Sequence, residues 1–92
     1  MTGLQRPCPV PGYHLETLDG EIVLFNPASE QVIHSNRTGA LIWQMCDCQR
    51  SVPEITELLA AAYPESAQEI ASDVFDTLER FAKHGAITWV LD

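Results

Sequence analysis

The segment YHLETLDGEIVLFNPASEQVIHS, Tyr13 to Ser35, decides the fold. Within it two short runs, Tyr13 to Leu18 and Glu21 to Asn26, flank Asp19-Gly20. That dipeptide readily takes the positive φ angles of a type I′ turn, so a tight β-hairpin is expected. The second run is apolar at consecutive positions, Ile22-Val23-Leu24-Phe25, which puts apolar side chains on both faces and places it in the middle of a sheet. Its other neighbour is then Glu30 to Ser35, reached through the turn residues Asn26-Pro27-Ala28-Ser29. This third run is only mildly apolar, at Val32 and Ile33, and is mixed with Gln31, His34 and Ser35. It reads as an edge strand with free backbone donors and acceptors.

Downstream of Ser35 the pattern turns helical. Asn36 or Thr38 can cap a helix that runs to about Cys46. Ser51-Val52-Pro53-Glu54 has capping-box spacing, each end satisfying the other's orphan amide, and opens a second helix to about Ala62. Ser66-Ala67-Gln68-Glu69 repeats that spacing after Pro64, ahead of a long third helix that stops near His84, with Gly85 suited to the left-handed position beyond it. Ile87, Trp89 and Leu91 alternate in a short closing strand, Ala86 to Leu91, whose partner the pattern leaves open. Upstream, Pro7, Pro9 and Pro11 disfavour helix and remove the amides a central strand needs. An extended arm is therefore expected over residues 1–12, ahead of one domain over 13–92. The fold class is α+β: a three-stranded antiparallel sheet, then three helices and a short C-terminal strand, arranged as in a winged helix-turn-helix.

The 92 residues suffice for one core and no separate catalytic domain. Apolar residues make up 46% and recur with clear periods, which argues for a packed globule. No apolar run approaches the roughly 18 residues of a membrane span, and Met1 to Gly12 lacks the apolar centre of a secretory signal. No membrane partner and a cytoplasmic location are expected. Thirteen acidic residues stand against five basic ones, a net charge of −8, and Arg6, Arg37, Arg50, Arg80 and Lys83 are scattered along the chain. Nothing in this balance attracts a phosphate backbone, so no nucleic-acid partner is expected.

The three cysteines are an odd number, and Cys46-Asp47-Cys48 is too close for an ordinary unstrained bridge between its two members. All three, Cys8 included, are read as reduced thiols. A single Cys-x-Cys with His34 or His84 lacks the spacing of structural zinc sites, so neither metal nor cofactor is expected. The cysteines and histidines come without a Gly-rich elbow or a positioned acid, and no catalytic unit is recognisable.

On the third helix Ile70, Phe81, Val74, Leu78, Ala71, Ala82 and Phe75 cover an arc of roughly 140°, wider than one core contact requires. Ile70, Val74, Leu78 and Phe81 are read as packing, and Phe75, at the rim, is released to a binding groove. The opposite face carries Glu69, Asp73, Asp76 and Glu79. In a winged helix this face would enter the DNA major groove, where four carboxylates repel phosphate.

The string Asn36-Arg37-Thr38-Gly39-Ala40-Leu41-Ile42-Trp43, then Asp47, Ser51-Val52-Pro53-Glu54-Ile55 and Leu58, resembles the PqqD family of peptide recognition elements over about Tyr13 to Ile87. In that family an Asn-x-Thr-Gly turn opens the first helix and Asp-Gly precedes the second. Cys48 here replaces the usual glycine, so if that glycine serves a positive φ, Cys48 is strained or the turn differs. The resemblance implies a non-catalytic domain that binds the leader of a ribosomally made precursor peptide. The leader would add as an antiparallel strand to the free edge of the third strand, against the third helix. Carried over by position, the peptide-binding residues are Gln31, Val32, Ile33, His34 and Ser35 with Ala71, Val74, Phe75 and Leu78. The implied modifying partner is a radical S-adenosylmethionine enzyme, a cyclase or a leader peptidase. Two rival readings are a structural or dimerisation subunit, since a free strand edge and Trp89 could equally serve a homodimer, and a DNA-binding winged helix, which the charge opposes.

Overall fold

The computed structural model describes residues 5–19 and 21–91. The expected hairpin forms from β2 (His14–Leu18) and β3 (Glu21–Asn26), with Leu18 opposite Glu21. Asp19 takes φ +50° as a type I′ turn requires, while Gly20 lies outside the described residues. A second turn, in which Glu30 takes φ +59°, leads to β4 (Gln31–Ser35). The three strands form one antiparallel sheet in the order β2-β3-β4, with β4 at its edge. Leu15, Leu24 and Ile33 align across the strands on the face that meets the helices, and Leu24 and Ile33 are buried. Val23 is buried on the opposite face between Glu16 and His34. Apolar side chains on both faces of β3 are thus what its central position demands.

Helix α1 (Arg37–Met45) is capped by Asn36, whose Oδ1 accepts from the Gly39 amide at 2.7 Å. A Cβ on Gly39 would overlap the Ser35 hydroxyl, so the first turn of α1 closes onto the end of β4 only because this residue is glycine. Helix α2 (Val52–Ala62) opens with the expected reciprocal box: the Ser51 amide donates to Glu54 Oε1 and the Glu54 amide to Ser51 Oγ. The second expected box is absent. A 3-10 turn, Pro64–Ser66, leads into α3 (Ala67–Lys83), and the Ser66 side chain makes no cap bond. The chain arrives there through a turn whose own amides are already bonded, Ser66 to the Tyr63 carbonyl among them. Helix α3 ends as read, with Gly85 at φ +78°.

The Pro-rich segment is extended but is not a free arm. Residues Gln5–Pro9 form β1, which pairs antiparallel with β5 (Ile87–Leu91), and the closing strand thereby gains its partner. The alternate prolines are what makes this possible. The Val10 amide donates to the Ala86 carbonyl at 2.8 Å, so the same parity turns the Arg6 and Cys8 amides toward β5 and sets positions 7 and 9 outward, where no ladder donor is needed. Pro7 is buried, and its carbonyl accepts from the Cys48 amide at 3.1 Å.

The reading of the cysteines is corrected in two of three cases. Cys8 in β1 and Cys48 in the α1–α2 loop form a disulfide across 40 residues of sequence. Sequence spacing speaks only to the strained pair within Cys-Asp-Cys, because nothing local brings β1 to that loop. Cys48 has φ +67°, the left-handed conformation that the glycine it replaces would adopt without cost. Cys46 is a free, buried thiol that donates to the Ile42 carbonyl.

One core joins these parts: Leu24 and Ile33 from the sheet, Ile42 from α1, Ile55 and Leu59 from α2, Ile70, Val74, Leu78 and Phe81 from α3, and Ile87 from β5. Trp43 packs edge-on to Phe81 at 5.9 Å and against Tyr13 at 6.2 Å. The Tyr13 hydroxyl donates to the His84 carbonyl and ties the hairpin to the end of α3. Among the described residues no helix is long and apolar enough to cross a membrane.

Candidate functional site

A groove of about 520 Å³ lies between the free edge of β4 and the C-terminal half of α3. Val32, Ile33, His34 and Ser35 form one wall, Thr77, Arg80 and His84 the other, and Asn36 and Gly39 close the end where α1 begins. Val32 is 46% exposed, against 3% for Ile33, whose side chain turns into the core.

Strand register determines which backbone groups face the groove. The two-residue loop makes Leu18–Glu21 a hydrogen-bonded pair, so residues 21, 23 and 25 of β3 bond to β2 and residues 22, 24 and 26 bond to β4. The partners of this second set are Ser35, Ile33 and Gln31. The N–H and C=O groups of Val32 and His34 therefore point to the open edge, spaced as one edge of a ladder awaiting another strand.

The helix wall differs from the expected one. Val74 and Leu78 are fully buried core residues. Phe75 is 55% exposed, as its release from the core anticipates, but it lines a separate depression with Gln5, Val52, Pro53, Leu78, Glu79 and Trp89. Ala71 is exposed and does not belong to the groove wall. At about 100° per residue, Phe75 and Ala71 occupy one rim of the buried stripe, and Thr77, Arg80 and His84 occupy the other. The apolar arc points to the Phe75 rim, whereas the rim that lines the groove beside β4 is polar. Its signal in the sequence is the i, i+3, i+7 spacing of Thr77, Arg80 and His84, legible only once it is known which side of α3 meets β4.

The groove carries an unusual charge for this chain. Among the described residues no Asp or Glu lines it, although thirteen acidic residues are present in the sequence. His34 Nδ1 lies 3.4 Å from Glu21 Oε1 on the neighbouring strand. Arg80 is exposed and forms no ion pair or side-chain hydrogen bond with any described residue. Farther toward the start of α3, a second depression bounded by α1 mixes Arg37 with Glu69 and Asp73.

The cysteine region offers no reactive group to this groove. Burial, with Asp47 adding to it, pushes the Cys46 thiol up to about 12. Asp47 itself is held below the usual carboxylate range by the Arg50 and Gln49 amides that donate to its Oδ1.

Over residues 21–87 the chain matches the family described as coenzyme PQQ synthesis protein D, PqqD. The chain belongs to the PqqD family. Among solved structures it is similar to TbiB1 in complex with the TbiA(β) leader peptide, with a TM-score of 0.70 and 19% identity over 92% of this chain and 99% of that one. No functionally curated protein matches it. The match begins at β3, so the PqqD-family segment contains β3, β4, all three helices and the start of β5, and with them both walls of the groove.

Proposed function

We propose that this PqqD-family chain binds the leader of a ribosomally synthesised precursor peptide by strand addition to β4 and presents it to a modifying enzyme. The observation that carries the reading is the free edge of β4, with the Val32 and His34 backbone groups turned into a groove backed by α3. Backbone pairing supplies affinity in this mode, and pockets between β4 and α3 select side chains. Residues Gln31 to Ser35 with Thr77, Arg80 and His84 make the contacts, while Val74 and Leu78 hold the helix wall in place from the core and Phe75 and Ala71 take no part. The chain supplies binding rather than bond-making, and its enzyme partner is a radical S-adenosylmethionine enzyme, a cyclase or a leader peptidase. Two features support this reading: family membership and the likeness to a leader-bound protein.

Amide exchange followed by NMR tests the proposal, using the N-terminal half of a short precursor encoded beside the gene. Val32 and His34 amides should slow on binding while those of β2 change little. Saturable binding with no slowing along β4 would place the site elsewhere.

A further inference from the structure

Resting on the strand-addition reading, we infer that the leader carries an aspartate or glutamate at one fixed position, where its carboxylate is held by Arg80 beside His84. Arg80 projects from α3 into the wall that faces Val32 to Ser35, and nothing among the described residues engages its guanidinium. Asp76, one turn earlier on the same helix, does not approach within ion-pairing distance of it. His34, on the facing wall, is already beside Glu21. Among the described residues, Arg80 is thus the cation in the groove that has no partner, in a lining with no carboxylate.

An arriving strand covers this residue and removes part of its hydration, so a planar fork of donors left unmatched would weaken binding. A carboxylate matches that fork through two parallel charge-assisted bonds. Elsewhere the chain is strongly acidic, at −8 overall, and disfavours an anionic peptide. The acidic residue therefore marks register: with side chains alternating along an added strand, a slip of one residue turns the carboxylate away from α3.

The test pans a phage-displayed library of randomised peptides on the full chain and then measures the binders by calorimetry and amide exchange. Aligned binders should share Asp or Glu at one position. Arg80→Gln should weaken them about tenfold, and Arg80→Glu should select Lys or Arg at that position instead. Lys83→Gln, which removes an exposed cation outside the groove, should leave affinity within twofold. Binders that protect Val32 and His34 yet lack a shared acidic position, or that lose as much affinity with Lys83→Gln as with Arg80→Gln, overturn the Arg80 contact and leave strand addition standing. Binders that leave β4 unprotected, or a library that yields none, overturn strand addition and this inference with it.

Discussion

At the scale of single residues the cysteines divide into two chemistries. Cys46 is buried, and with its thiol pushed up to about 12 the thiolate population at pH 8 is about one in ten thousand. Iodoacetamide at pH 8 should leave Cys46 unmodified in the folded protein and alkylate it once urea is added, as mass spectrometry would show. The linkage has a definite sign. The folded value lies above the ordinary thiol value of 9.0, so the unfolded chain releases this proton first, and stability falls as pH rises between 9.0 and about 12. Cys8 and Cys48 instead join β1 to the α1–α2 loop. Reduction should lower the stability seen in urea by about 2–4 kcal/mol, since it frees a long loop in the unfolded state. Three titratable thiols in the unreduced, denatured protein would show that this bridge does not form.

At the scale of elements, helix faces and strand parity make separable predictions. The sequence pattern marks both Leu58 and Leu59 of α2 as apolar, but only Leu59 reaches the core, at 1% exposure against 47% for Leu58. Leu58 lies on the exposed side of α2 and does not hold the fold. Leu59→Ala should cost about 2–5 kcal/mol and Leu58→Ala less than about 1, measured by urea denaturation. Val74, fully buried in α3, should cost about 2 kcal/mol on replacement by alanine. Along β4, proline at Val32 should abolish leader binding and keep the fold, because that amide points outward. Proline at Ile33 should destabilise the domain, because that amide bonds to β3. Circular dichroism melts beside binding isotherms distinguish the two, and equal damage from both would refute the register. Much of this scale was legible from sequence: β3 and β4 as neighbours, a cap at Asn36 or Thr38, of which the structure uses Asn36, the Ser51 cap and the end of α3 at Gly85 all rest on contacts within a few residues.

At the scale of the whole molecule, the net charge of −8 and the exposed Glu69, Asp73, Asp76 and Glu79 of α3 oppose nucleic acid wherever this architecture would offer a recognition helix. Fluorescence anisotropy with a labelled duplex should show negligible binding at physiological salt, and tight binding with a steep salt slope would reverse that conclusion. The fold class follows from the sequence by itself, because turn preference, capping and hydrophobic period act over short stretches of chain. Tertiary structure decided the rest. The pairing of β1 with β5, the bridge from Cys8 to Cys48 across 40 residues, and the rim of α3 that faces β4 each depend on segments distant in sequence meeting in space. An apolar arc on α3 shows that the helix is buried, but only the packing of α1 against it and the placement of β4 across the groove set which polar flank, Thr77, Arg80 and His84, becomes the wall of a groove.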